Sequence, residues 1–174
     1  NPYINNNTGT TVLTCAQPVI NVTATGGTSY SWSNGLGNNA NASITQPGNY
    51  TVTVAGSNGC AATSQIAITR DTTTPTAVIS NNSLTTVLTC SQTSIDLLAS
   101  GGSNYSWSSG LGNNPNQTVT VPGSYTVTVT GTNGCSSTAS INITQNTTAP
   151  TAGITNNSGT LVITCSQPTI SLSA

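Results

Sequence analysis

The chain repeats itself every 75 residues, and this periodicity constrains its fold more than any other feature. Residues 1–75 align with residues 76–150 without a gap, and 43 of the 75 aligned positions are identical. A third copy begins at residue 151. A fixed period of this kind predicts one structural unit copied along an array. We therefore expect a first repeat over 1–75, a second over 76–150, and the start of a truncated third over 151–174.

Short β-branched runs, separated by turn residues, predict the structure of each copy. Repeat 2 contains "AVIS", "TVLTC", "SIDLLAS", "YSWS", "QTVTV", "YTVTVTG" and "TASINIT" in that order. Apolar residues alternate along these runs, as on strands with one buried face. Gly-Gly, Pro-Gly and Asn-Gly pairs mark the turns between them. About seven strands per 75 residues, without helical periodicity, predict an all-β fold of tandem Ig-like β-sandwiches.

Four aromatic residues occupy positions that sandwich cores favour. Trp32 and Trp107 lie in the middle of predicted strands, each on the same face as a Tyr. Tyr50 and Tyr125 lie early in the strand that corresponds to strand F, where Ig-type sandwiches carry a corner tyrosine. We predict that all four are core aromatics. The alternative for the two Trp side chains is a platform on which a sugar stacks.

Five cysteines follow the same period: Cys15, Cys90 and Cys165 are 75 residues apart, and so are Cys60 and Cys135. We predict disulfides Cys15–Cys60 and Cys90–Cys135, which would tie the start of each sandwich to its last strand. On the chain-entropy model, closing a loop of that size contributes roughly 4 kcal/mol. Cys165 has no partner at this spacing, so we interpret the sequence as a section of a longer array.

The composition argues against several classes of function. The only charged residues are Arg70, Asp71 and Asp96, and there is no His. Acid–base catalysis needs groups that titrate near neutral pH, so we expect no enzyme and no cofactor. One Arg cannot neutralise a phosphate backbone, which argues against nucleic acid. The Cys spacing is not that of zinc sites, carboxylates for calcium are lacking, and no apolar run is long enough for membrane insertion.

The sequence "GGSNYSWSSGLG", followed by "PGSYTVTVTGTNGCSSTASINITQ", resembles the SprB-type repeat of Bacteroidetes surface adhesins. The family pattern is G-G-x-x-Y-x-W-S-x-G, then G-x-Y-x-V-x-V, then N-G-C, then a strand that ends in I-T-Q. The match covers the second half of both complete repeats. The resemblance implies tandem Ig-like repeats, export by the type IX system, display on the cell surface, and a role in adhesion or gliding motility.

We therefore interpret the chain as a structural segment of a long extracellular fibre or cell-surface adhesin stalk. Its expected partners are neighbouring repeats of the same chain or like chains in a filament. Because "DTT" at 71–73 resembles a Bacteroidetes O-glycosylation motif, Thr72 is a candidate modification site. The open edge of the third copy would be completed by its own chain or by a strand from another chain.

Two other functions remain open. The loops "SNGLGNN" (33–39) and "SSGLGNN" (108–114) would suit a multivalent module that binds glycan or a surface polymer. Alternatively, the array would be a spacer in a secreted enzyme. Rows of Thr-x-Thr suggest an ice-binding face, but outward Thr residues on half-buried strands explain them better.

Overall fold

A computed structural model describes all 174 residues and contains sixteen β-strands and no helix. It therefore has no helix long and apolar enough to cross a membrane. The strands of repeat 1 are β1 (Tyr3–Asn6), β2 (Val12–Thr14), β3 (Ile20–Thr25), β4 (Ser29–Trp32), β5 (Asn41–Ile44), β6 (Gly48–Ala55) and β7 (Ala61–Asp71). The strands of repeat 2 are β8 (Val78–Asn81), β9 (Val87–Leu88), β10 (Ile95–Ser100), β11 (Asn104–Trp107), β12 (Asn116–Val119), β13 (Gly123–Thr130) and β14 (Ser136–Gln145).

Each repeat is a pair of sheets with the same strand order. In repeat 1 these are a three-stranded sheet, β1-β3-β5, and a four-stranded sheet, β2-β7-β6-β4. Repeat 2 has the equivalent sheets β8-β10-β12 and β9-β14-β13-β11. All neighbours are antiparallel except β2 with β7 and β9 with β14, which are parallel. The prediction of an all-β, Ig-like sandwich with about seven strands is confirmed.

Each repeat has its own hydrophobic core between its two sheets. Alternate residues of β3, such as Ile20 and Val22, are buried, and so are Ile95 and Leu97 of β10. They pack against apolar residues of β6 or β13 in the facing sheet. The two clusters share no residue. The boundaries at residues 75 and 150 stay a prediction.

Tyrosine hydroxyls fasten the chain at the entry to β6 and β13. Tyr50 donates a hydrogen bond to the Gln46 carbonyl at 2.8 Å, and Tyr125 donates one to the Val121 carbonyl at 2.7 Å. Both rings are buried. A buried ring whose hydroxyl binds backbone a few residues upstream is the tyrosine corner of Ig-like sandwiches.

The third copy has two short strands, β15 (Thr155–Asn156) and β16 (Leu172–Ser173), which pair with each other. Its apolar side chains are largely exposed: Ile163 is 63% exposed and Leu172 is 60% exposed. The equivalent side chains of repeat 1, Leu13 and Val22, are buried. The difference arises because no facing sheet covers the apolar side of residues 151–174.

Candidate functional site: the joint between the repeats

The parallel pairing of β2 with β7 determines where each cysteine lies. Thr14 is level with Asp71, so Cys15 lies beyond the last residue of β7. Cys60 immediately precedes the first residue of β7, which is 11 residues long. At ~3.3 Å per residue, the two cysteines are therefore about 35 Å apart, whereas bonded cysteines need Cα atoms within about 7 Å. The strand order thus places them at opposite ends of the sandwich.

The disulfide joins Cys15 of repeat 1 to Cys135 of repeat 2, with a Cα–Cα distance of 5.0 Å and a sequence separation of 120. The predicted pairs Cys15–Cys60 and Cys90–Cys135 are therefore wrong. Cys60, Cys90 and Cys165 are free and exposed, while Cys135 is 2% exposed. The cross-link lies between the repeats and not within either of them.

Hydrogen bonds surround the disulfide on both sides of the joint. The backbone N–H of Ala16 donates to the Asn133 carbonyl at 3.2 Å. The side-chain amide of Asn133 donates to Asp71 Oδ1 at 3.1 Å and to the Thr73 carbonyl at 2.9 Å. Its Oδ1 accepts a bond from the N–H of Cys135 at 3.1 Å. One asparagine thus shapes its own turn and contacts the preceding repeat.

Gly134 lies directly against Ala16 of repeat 1. Its φ of +78° favours glycine, and a Cβ there would lie 2.6 Å from Ala16 Cβ and 2.8 Å from Ala16 N. Such distances are far below ordinary contacts, so any larger residue would push the repeats apart. The turn therefore needs glycine for its backbone conformation and for the contact it makes.

The peptide linker between β7 and β8 is held against repeat 2. Ser137 Oγ donates to the Pro75 carbonyl at 2.6 Å and accepts a bond from Ala77 N–H at 3.1 Å. Proline fixes its own φ and restricts the preceding residue. The joint therefore has two covalent connections, the peptide linker and the disulfide, and both are anchored by hydrogen bonds.

Asp71 is the only ionisable side chain that binds across this joint. Its carboxylate accepts a bond from the Thr73 N–H at 3.1 Å as well as the bond from Asn133. These hydrogen bonds, that of the Thr73 backbone first, hold the pKa of Asp71 below its ordinary value of 3.8. The hydrogen bonds at the joint therefore stabilise the ionised form of Asp71. Thr72, beside it, is exposed, and its O-glycosylation stays a prediction.

The tryptophans brace the loops that follow β4 and β11. Trp32 Nε1 donates to the Asn39 carbonyl and Trp107 Nε1 to the Asn114 carbonyl, each at 3.0 Å. Each indole is 6% exposed. They therefore offer no open face on which a sugar ring would stack, and they position the 33–39 and 108–114 loops.

A shallow polar groove of about 570 Å³ runs along one edge of repeat 2. It is lined by Ser103, Asn104, Tyr105, Ser106, Asn113, Pro115 and Thr130. The groove contains no charged side chain, so any ligand would be held by hydrogen bonds and by the Tyr105 ring. Of the 108–114 loop, only Asn113 lines this groove.

No model of a known protein family matches the chain, and no curated protein matches it. Three solved structures are similar in fold. Fibronectin(III)-like modules of Clostridium thermocellum CbhA are 12% identical, cover 82% of this chain and 95% of their own, and give a TM-score of 0.37. A 1.5-MDa bacterial ice-binding adhesin is 15% identical, with coverages of 96% and 69% and a TM-score of 0.49.

The third similar structure is the C-terminal 282-residue fragment of intimin, in complex with the intimin-binding domain of the translocated intimin receptor. It is 18% identical and covers 94% of this chain and 68% of its own, with a TM-score of 0.38. At such identities and TM-scores, the three similarities carry no conclusion about function.

Proposed function

We propose that the chain is a load-bearing structural segment of an extracellular fibre or cell-surface adhesin stalk, and not a catalyst. The observation that carries the proposal is the Cys15–Cys135 disulfide across the joint between consecutive sandwiches. Disulfides persist in oxidising surroundings outside the cytosol, which supports an extracellular location. Adhesion itself would belong to other parts of such a protein.

The position of the disulfide supports a mechanical role. Both bonded cysteines lie between the two chain ends, so a force applied at the ends would pass through the disulfide. The bond would bypass the chain between residues that are 120 positions apart. At ~3.5 Å per extended residue, about 400 Å of chain between the cysteines would be kept from stretching. The bond would therefore limit extension even after a sandwich has lost its hydrogen bonds.

The surface chemistry also suits an assembly of many repeats. With three charged residues in the chain, neighbouring repeats or parallel chains would pack without charge repulsion. Such packing would depend little on salt. The finer assignment, a SprB-type repeat of a Bacteroidetes gliding adhesin exported by the type IX system, is part of the proposal and is supported by the motifs named above.

Single-molecule pulling of the whole chain tests the mechanical proposal. Under oxidising conditions we expect the final extended length to be about 400 Å shorter than after reduction. The matched control is Cys60→Ser, which removes an exposed free thiol and should leave this difference unchanged. Equal lengths before and after reduction would contradict a load-bearing disulfide. Antibody labelling of intact cells tests the surface location separately.

A second candidate function is weak, multivalent binding of a neutral glycan. The polar groove beside Tyr105 supports it, since hydrogen-bonding side chains beside an aromatic ring suit a sugar. Titration of the chain with neutral polysaccharides, compared with a Tyr105→Ala variant, tests this candidate. The companion variant is Tyr30→Ala at the equivalent position of repeat 1. Affinity that is reduced by either substitution and lost when both are combined would support multivalent binding, and no affinity in the parent chain would refute it.

A further inference from the structure

The turn that carries Cys135 has a copy in repeat 1 with the same geometry. In repeat 1, Gly56 N–H donates to the Cys60 carbonyl at 2.9 Å, and Cys60 N–H donates to Asn58 Oδ1 at 3.1 Å. The equivalent bonds in the turn that ends at Cys135 measure the same 2.9 and 3.1 Å. The turn in repeat 1 is therefore already folded as it would be if it contacted a preceding repeat.

The copy in repeat 1 has no neighbouring repeat against its glycine. No atom lies within 4 Å of a Cβ placed on Gly59, whose φ of +77° matches that of its bonded counterpart. The Asn58 amide nitrogen has no hydrogen-bond partner, and the Cys60 thiol is exposed. The cysteine, asparagine and glycine with which repeat 2 contacts its predecessor are thus present in repeat 1 and unused, whereas Ser137, which binds the Pro75 carbonyl, is replaced there by Ala62.

A hollow of about 220 Å³ lies beside this turn. Its lining includes Asn1, Pro2, Gly56, Asn58, Cys60 and Ala62. At the equivalent place in repeat 2, the ring of Pro75 approaches to 3.9 Å from a Cβ placed on Gly131. The hollow thus lies at the place that the ring of Pro75 occupies beside repeat 2.

The complementary surface is repeated at the far end of repeat 2. Thr89 N–H donates to the Gln92 carbonyl at 2.9 Å, and Gln92 N–H donates to Thr89 Oγ1 at 3.0 Å. The same two bonds around Cys15 measure 2.9 and 3.0 Å. Cys90 in this turn is free and exposed. The cysteine-bearing turn is therefore preformed in both repeats, and bonded in only one of them.

Repeat 2 also has a hydrogen-bond acceptor beside that turn. Asn146 occupies the position equivalent to Asp71, and its Oδ1 accepts a bond from Thr148 N–H at 3.3 Å. An amide oxygen can accept the bond that Asn133 donates to the carboxylate. The far end of repeat 2 thus offers the acceptor that a following N-G-C turn needs.

We propose that each repeat carries two disulfide docking sites for a further repeat of the same 75-residue kind in the same chain. Cys60 with its hollow receives the cysteine-bearing turn of a repeat placed before residue 1. Cys90 receives the N-G-C turn of the repeat that residues 151–174 begin. Every joint of such an array then has a peptide linker and a disulfide, so that cutting one linker does not separate the fibre.

The bond forms by thiol–disulfide exchange with an external disulfide, either a small molecule or an oxidoreductase. One thiolate attacks the oxidant, forms a mixed disulfide and releases the first reduced thiol. The second cysteine then displaces the other thiol. Two cysteine thiols and one oxidant disulfide become one protein disulfide and two reduced thiols, with the two electrons passing to the oxidant.

The test extends the whole chain by its own repeats and maps the disulfides by mass spectrometry after alkylation. With residues 76–150 fused before Asn1, we expect Cys60 to lose its alkyl adduct. It should be found linked to the added cysteine that corresponds to Cys90, while Cys15–Cys135 is retained. A Cys60 that remains alkylated, or that pairs with Cys15, would overturn the proposal.

A second extension guards against a fusion that fails to fold. Residues 100–150 appended after Ala174 complete the third copy, and we expect Cys90 to pair with the added copy of Cys135. Gly59→Ala, combined with the first extension, is the matched variant, since its methyl group should block docking there and leave the Cys15–Cys135 bond intact. Disulfide-linked dimers of the unextended chain would instead assign these cysteines to a second molecule and overturn docking within one chain.

This proposal rests on the proposed structural role, but the two fail separately. Pulling experiments on the unextended chain test the load-bearing bond at the joint already present. Disulfide maps of the extended chains test whether the other cysteines repeat it.

Discussion

The two N-G-C turns have the same hydrogen bonds and nearly the same sequence, yet they present their cysteines differently. Cys135 is buried in a bond to the preceding repeat, whereas Cys60 is exposed and free. The local sequence therefore determines the shape of the turn, and the neighbouring repeat determines what happens to the thiol. A comparison of the two turns separates the contribution of the turn from that of the joint.

Removing the disulfide should have the largest effect. The chain-entropy model assigns about 4.7 kcal/mol to closing a 100-residue loop, so we expect Cys15→Ser to lower the total free energy of unfolding of the two repeats by about 4 to 5 kcal/mol. Cys60→Ser, the matched control, should change it by less than about 0.5 kcal/mol. Denaturant unfolding followed by Trp fluorescence measures both. If the two variants lose the same free energy of unfolding, the disulfide at the joint does not stabilise the repeats.

The two glycines of the N-G-C turns should show the next largest difference in stability when each is replaced by alanine. Gly134→Ala and Gly59→Ala both put a side chain at positive φ, which costs about 1 kcal/mol in either turn. Only the methyl group at 134 meets Ala16, so we expect it to cost about 1 to 3 kcal/mol more. The same unfolding experiment gives the difference. If the two alanine variants are equally stable, the repeats do not approach each other as described.

The asparagine pair isolates the hydrogen bonds across the joint. Asn133→Ala and Asn58→Ala each remove the bond that shapes the turn. Only the first also removes the bond to the Thr73 carbonyl, worth about 0.5 to 1.5 kcal/mol, and the bond to Asp71. We expect Asn133→Ala to be the less stable of the two. Identical unfolding curves for the two variants would contradict the hydrogen bonds from Asn133 to the preceding repeat.

The pH dependence of the joint should be the smallest effect. Hydrogen bonds lower the pKa of folded Asp71 below its ordinary pKa of 3.8. Its contribution to the free energy of unfolding is therefore fully present above pH 3.8 and is lost as pH falls through the lowered pKa. Asp71→Asn, which copies Asn146 of repeat 2, should remove this dependence. Amide exchange of the Asn133 side chain, followed by NMR between pH 5 and pH 2, measures it. An unchanged pH profile in Asp71→Asn would contradict a role for this carboxylate.

Much of the fold follows from the sequence alone. Alternation of apolar residues identifies the strands, and Ile95, Leu97 and Ala99, which alternate in the sequence, are buried along β10. The position of Tyr125 before its valines is that of a corner tyrosine, and its hydroxyl binds backbone four residues upstream. These features are local, so a single copy of the repeat is enough to reveal them.

The cysteine pairing could not be obtained from spacing, because it depends on how β2 pairs. Two residues before Cys15, Leu13 lies level with Arg70 near the end of β7, which places the cysteine at the far end of the sandwich from Cys60. The periodicity fits bonds within repeats and bonds between successive repeats equally well. Only the parallel pairing of β2 with β7 distinguishes them. The same applies to Asn133 and Gly134, whose roles at the joint depend on the neighbouring repeat.

The most direct test of a covalently fastened joint is a disulfide map of the unextended chain. The chain would be alkylated without reduction, digested and analysed by mass spectrometry. We predict one cross-linked species that joins the peptides of Cys15 and Cys135, with Cys60, Cys90 and Cys165 alkylated. Peptides that join Cys15 to Cys60, or Cys90 to Cys135, would place the bonds within the repeats and contradict the account.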